Sequence, residues 1–120
     1  AQDSPNNLAD ADGTIAVADV LKGVITCTPT TDRTLTLDTA SNLISGLNLS
    51  EDNDSFDFTI INLATDGTSD LTMAAGTGVT LVGNVLVKSQ NNTDNQGYCG
   101  SARIRVRRTS SSAVTLYRIS

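Results

Sequence analysis

Apolar and polar residues alternate two by two along much of this chain. Arg33-Thr-Leu-Thr-Leu sets Leu35 and Leu37 on one face. Phe56 to Leu63 (FDFTIINL) sets Phe56, Phe58 and Ile60 on one face and Asp57 and Thr59 on the other. Ala102 to Arg108 (ARIRVRR) turns Ile104 and Val106 inward and Arg103, Arg105 and Arg107 outward. A period of two is the signature of half-buried strands. Shorter β-branched runs predict strands at Thr14–Val17, Val24–Thr28 (closed by Pro29), Asp70–Ala74, Val79–Val82, Val85–Val87 and Val114–Ile119. Asp70–Ala74 and Val79–Val82 are expected to form a hairpin joined through Ala75-Gly76-Thr77-Gly78. Ala40, Leu43, Ile44 and Leu47 recur at helical spacing, which predicts one short helix over 39–47 with Asp38 or Thr39 as its N-cap. Asp19 to Lys22 has room for one further helical turn, ended by Gly23.

Eight or nine short strands with frequent turn signals point to an all-β fold. The expected form is a small antiparallel β-sandwich, jelly-roll-like, with one short helix. Phrases such as TLTL, VTLV and VTLY echo one another without a fixed period, so no solenoid is expected. With 120 residues the chain holds a single core. Residues 14–120 are assigned to one β-sandwich domain. Residues 1–13, polar and acidic with Pro5 and Gly13, are expected to be a flexible arm that orders on a partner. With four aromatic residues and no Trp, the core must be built from Val, Ile and Leu, which favours help from oligomerisation.

The net charge of −5 is unevenly placed. Residues 1–66 hold eleven acids against Lys22 and Arg33, a balance of −9, and residues 67–120 hold six bases against Asp70 and Asp94, a balance of +4. Arg103, Arg105 and Arg107 fall on one face of a regular strand and are candidate partner contacts. Asp3, Asp10 and Asp12 in the arm are candidates as well. The competing account of the arginines is a solvent face paired to cross-strand Asp and Thr. The chain is acidic overall and no aromatics interleave the arginines, so direct nucleic-acid binding is not expected.

The chain has no His, which excludes a Ser-His-Asp or Cys-His arrangement and any imidazole metal site. Gly76-Thr77-Gly78 lacks the Lys and helix signal of a phosphate loop. Asp10-Ala-Asp12-Gly13 and Asp52-Asn-Asp54 do not match a calcium loop. The chain is therefore expected not to be an enzyme and to use no cofactor or metal. Cys27 and Cys99 allow one disulfide by arithmetic, but two buried thiols in a reducing cytoplasm are the expectation. No stretch approaches the length of a membrane-spanning helix, and no membrane partner is expected.

One resemblance adds to this reading. TIAVADVLKGVITCTPTTDRTLTLDTASNLISGL (Thr14 to Leu47), DSFDFTIINLATDGTSDLTMAAGTGVTLVGN (Asp54 to Asn84) and the closing SSAVTLYRIS resemble small virion proteins of tailed bacteriophages, the capsid cement or decoration proteins, those of cyanophages among them. AAGTGVTL is the most telling phrase, and it is a hairpin phrase, not an active-site motif. The resemblance implies a structural protein on the outer capsid surface that bridges major capsid subunits and is assembled in the host cytoplasm. It further implies a homo-oligomer, a trimer before a dimer. The alternative is a head-spike, tail or fibre component used in host adsorption. The acidic arm and the cysteines lie outside the resemblance, and no catalytic residue comes with it.

Overall fold

The computed structural model describes residues 6–90 and 100–120. Ten strands and two helices follow one another as β1 (Asn6–Leu8), β2 (Gly13–Ile15), α1 (Val17–Leu21), β3 (Val24–Cys27), β4 (Arg33–Leu37), α2 (Ala40–Gly46), β5 (Ser55–Asn62), β6 (Leu71–Ala74), β7 (Val79–Val82), β8 (Leu86–Val87), β9 (Ser101–Ser110) and β10 (Ala113–Arg118). A six-stranded sheet has the order β1-β3-β5-β9-β10-β7, and a four-stranded sheet the order β2-β4-β6-β8.

The β-rich expectation holds, and the antiparallel sandwich is corrected. Five of the pairings among the described residues are parallel: β1 with β3, β3 with β5, β2 with β4, β4 with β6, and β7 with β10. From β1 to β6 the chain alternates between the two sheets, laying each strand beside the one two places earlier. Three rungs stack as a short parallel coil. A jelly roll needs antiparallel neighbours throughout, and this winding does not supply them. The expectation of no solenoid is corrected for this stretch alone. Asn6 lies beside Ile25 and Ile25 beside Ile60, steps of 19 and 35 residues, because the return through α2 and residues 47–54 is longer than the return through α1. Unequal rungs leave no period to detect.

The predicted β6–β7 hairpin does not form either. β6 belongs to the four-stranded sheet and β7 to the six-stranded one, where it pairs with β10. Residues 75–78 carry the chain across. A Cβ on Gly76 would sit 2.3 Å from the carbonyl oxygen of Leu37 and 2.6 Å from that of Asp38. Gly78 has φ +79, and a Cβ there would come within 2.8 Å of the Ser112 carbonyl oxygen. The glycines serve close backbone approach at a crossing, not a tight hairpin turn.

Both helices form where the spacing places them. α2 starts at Thr39, whose hydroxyl accepts the Asn42 N–H at 3.2 Å. The turn foreseen at Asp19–Lys22 becomes α1, with the Asp19 carboxylate accepting the Ala16 N–H at 2.9 Å. One continuous core joins both sheets and both helices. Phe58, Ile60, Ile104, Val106 and Leu116 come from the large sheet, Ile15, Leu35, Leu37 and Leu71 from the small one, and Val20, Ala40 and Leu43 from the helices. No helix among the described residues is long and apolar enough to cross a membrane.

Residues 6–13 of the expected arm are among those described, and they lie in the fold. Residues 6–15 supply the first rung, a strand in each sheet. Aspartates in the turns between the two sheets bond one rung to the next. The Asp10 carboxylate accepts the Thr30 N–H at 3.1 Å and the Thr30 hydroxyl at 2.7 Å, and pairs with Arg33 at 3.0 Å. Asp12 accepts the Thr34 N–H at 2.9 Å. Asp32 accepts the Asp70 N–H at 2.9 Å, and Asp70 accepts the Ser89 N–H at 3.2 Å. Each turn would otherwise leave a backbone donor without a partner, and a short acidic side chain reaches it. The Thr30 hydroxyl and Arg33 beside Asp10 hold its carboxyl below the usual carboxylate range. Asp3 and Cys99 lie outside the described residues. Cys27 is a buried free thiol 3.6 Å from the Ala9 carbonyl oxygen, and burial, with Asp10 nearby, pushes its pKa up.

Candidate interaction face

β9 is ten residues long and alternates cleanly, with Ala102, Ile104 and Val106 in the core. That alternation turns Arg103, Arg105 and Arg107 to the outer side of the six-stranded sheet, as their spacing predicts. Arg105 lies opposite Asp57 of β5 and grips it with two bonds, Nε to Oδ1 at 2.8 Å and Nη2 to Oδ2 at 3.0 Å. Arg103 reaches the same carboxylate at 3.2 Å. The bond from Arg105, reinforced by both positive charges, holds the Asp57 carboxyl below its ordinary range despite partial burial, and Asp57 in turn raises Arg105. Arg107 donates to Asn53 Oδ1 from Nε at 3.0 Å and from Nη2 at 2.6 Å, and to the Tyr117 hydroxyl at 3.0 Å.

The cross-strand pairing to Asp57 is therefore present, and the arginines still carry excess charge. Arg103 and Arg105 share one carboxylate and Arg107 is held by an asparagine and a tyrosine, a local balance of +2 for the three. Each guanidinium is held in place, so little side-chain freedom remains to be lost on contact with a partner. Arg108, next in sequence, has a different task. It turns back to the Leu49 carbonyl oxygen at 2.9 Å, the Ser110 carbonyl oxygen at 3.1 Å and Asp52 at 3.1 Å, clasping β9 to the turn before β5.

Beside the arginines the outer face is apolar. Tyr117 of β10 lies between Arg105 and Val82 in register, a row across β9, β10 and β7. Val82 is 47% exposed, and Ile119, just past β10, is 42% exposed. The Ile119 N–H donates to the Arg103 carbonyl oxygen at 2.9 Å, which sets that residue next to the arginine row. Neither helix puts its buried residues on this side, since Val20, Ala40 and Leu43 all join the core. Guanidiniums fixed beside a tyrosine and exposed aliphatics can take carboxylates and apolar side chains together.

Of the other candidates, Asp10 and Asp12 do not join this face. Asp10 and Asp12 are engaged by Thr30, Arg33 and Thr34 at the turns of the coil. Sequence reasoning missed Tyr117, Val82, Ile119 and Asn53 as members of the face. The outward position of Asp57 in FDFTIINL was visible, but not which strand would lie opposite it. No family model, curated protein or solved structure matches this chain.

Proposed function

We propose that this chain is a structural virion protein of a tailed phage, one that binds the outer capsid surface and bridges neighbouring major capsid subunits. The observation that carries the reading is the uncovered outer face of the six-stranded sheet, where Arg103, Arg105 and Arg107 are held beside Tyr117, Val82 and Ile119. Arg and Tyr set among aliphatic side chains make the kind of patch that dominates protein interfaces. The resemblance of Thr14 to Leu47 and Asp54 to Asn84 to capsid decoration proteins supplies the class of partner. A ligand that binds only the closed lattice stabilises it by mass action, and an oligomer touching several subunits gains from effective concentration. A trimer at a local three-fold axis suits such a site best, and a dimer at a two-fold next.

Cryo-electron microscopy of the native particle that carries this chain tests the reading. Regular copies between capsomers, with β9 and β10 toward the shell, are the expected result. Density only at a vertex, a spike or the tail replaces capsid bridging with host adsorption. Absence from the particle refutes both.

A further inference from the structure

β5 has a neighbour along nearly its full length on one side and along only half of it on the other. β9 pairs with Ser55 through Ile61, whereas β3 pairs only with Thr59 through Asn62. Among the described residues, Ser55 to Phe58 thus form an open strand edge inside the six-stranded sheet. The cause lies at Gly23, whose φ of 83 turns the chain from α1 into β3. In the register that sets Val24 beside Thr59, Lys22 would lie beside Asp57. Instead the Lys22 N–H closes the end of α1 on the Asp19 carbonyl oxygen at 3.2 Å. The Thr59 N–H points to this side, donating to the Gly23 carbonyl oxygen at 2.9 Å. Strand alternation aims the N–H and C=O of Asp57 the same way.

The vacant strand position is an open groove of about 460 Å³, lined among others by Leu21, Lys22, Phe56, Asp57, Phe58 and Arg103. Leu21 is 50% exposed at its end. We infer that this groove accepts one extended segment of a partner protein, which adds as a short strand beside Ser55–Phe58 and alternates apolar and acidic side chains. Four strand residues span about 13 Å, enough for a short strand. A helix satisfies its own backbone and would leave the Asp57 edge without partners, whereas an added strand bonds to it. Leu21 and Phe56 offer apolar surface to alternate side chains of the incoming strand. Arg103, which lines the groove, and Arg105 beside it bring two positive charges against the one carboxylate that both engage, Asp57. That balance selects carboxylates over amines. The inference stands apart from the capsid reading, because it needs only a segment of this chemistry.

The test uses the full chain, labelled with nitrogen-15, and a short capped peptide of alternating valine and aspartate. The expected result is saturable shifts of the amides from Ser55 to Thr59, with a Kd on the order of 1 mM, and slowed hydrogen exchange at Asp57. The same peptide with valine and lysine should bind at least about 10-fold more weakly. A peptide N-methylated on its pairing edge should not protect Asp57. Leu21→Glu, at an exposed position, should abolish binding with the rest of the spectrum unchanged. No shifts at about 10 mM peptide, or shifts confined to Arg105, Arg107 and Tyr117 without protection at Asp57, would overturn the inference. Equal binding of the lysine peptide would overturn its charge selection.

Discussion

Between Asn6 and Ala74, Asp10, Asp12, Asp32 and Asp70 point along the stack of rungs and meet backbone N–H groups of the next one. From Ser101 to Arg118 the arginines of the face stand off the sheet and meet one shared carboxylate and an asparagine. These aspartates of the acidic half spend their charge on bonds within the chain, and the arginines of the basic half keep an excess on the sheet face. A balance of −9 against +4 along the chain therefore does not mean two complementary patches. Asp10, Asp12 and Asp32 are turn residues of a parallel coil, short enough to bond main chain one rung away. The first rung, β1 and β2, is an edge of both sheets, whereas β9 and β8 cover the last rung. Growth of the coil is stopped at its C-terminal end by antiparallel strands.

The joint between the two regions is where substitution should cost most. Gly76→Val forces side-chain atoms into the carbonyl oxygens of Leu37 and Asp38, and neither is a flexible neighbour. We expect a loss of about 4 kcal/mol or more, seen as a fall in Tm of about 15 °C or more or a failure to fold. An unchanged melting curve would mean that the crossing from the small sheet to the large one is not rigid.

Asn62 is the next largest. It is fully buried at the end of β5, with Nδ2 donating to the carbonyl oxygens of Ser69 and Val87 at 3.0 and 2.9 Å and Oδ1 accepting the Ala64 N–H at 2.9 Å. Asn62→Ala leaves three buried backbone groups without this partner and should cost about 3 kcal/mol in urea unfolding. Asn62→Asp should not rescue it, because a carboxylate cannot donate to the two carbonyls.

A paired substitution separates the two uses of charge. Asp32→Ala in the coil removes a bond to the Asp70 N–H and should cost about 1 kcal/mol, with no loss of capsid occupancy. Arg107→Ala on the face should cost under about 0.5 kcal/mol, yet lower occupancy on the particle at least about 10-fold. Occupancy measured by quantitative cryo-electron microscopy, beside urea melts of each variant, checks both. The reverse pattern would exchange the roles assigned to the two regions.

The longer strands were legible because each alternates in isolation, whereas β1 lay in the expected arm. FDFTIINL and ARIRVRR carry their burial pattern in their own residues, and so does the helix that starts at Thr39. Which strand pairs with which was not legible, since parallel stacking joins Ile25 to Ile60 across 35 residues with no repeat to announce it. Gly76-Thr77-Gly78 misled because glycines suit a tight turn and a tight crossing equally. Asp10 and Asp12 misled because a turn aspartate that caps a distant N–H has the same composition as one that waits for a partner. The arginine row was found, but the apolar part of the same face was not. Val82 and Ile119 sit in runs whose other aliphatics are core, and only sheet position tells them apart.

A small and pH-dependent effect is the sharpest probe of the face. Arg105 and Arg103 hold Asp57 below its usual value, so its folded pKa is depressed relative to the unfolded chain. The sign follows: the stabilisation is complete above the unfolded value, near about pH 4, and is lost as pH falls through the folded value. Asp57→Asn removes that linkage. At pH 7 the variant should be less stable by no more than about 1 kcal/mol, since the pair faces solvent. The gap should close as pH falls below about 4, and added salt should narrow it at neutral pH. Asp10 and Asp66 are depressed in the same direction, so the parent chain keeps an acid-linked loss that the variant only partly escapes. Urea titrations of both proteins across this range measure the difference. A gap that stays constant with pH would mean that the Asp57 carboxylate acts through shape and hydrogen bonding alone, and that the arginines are held without it.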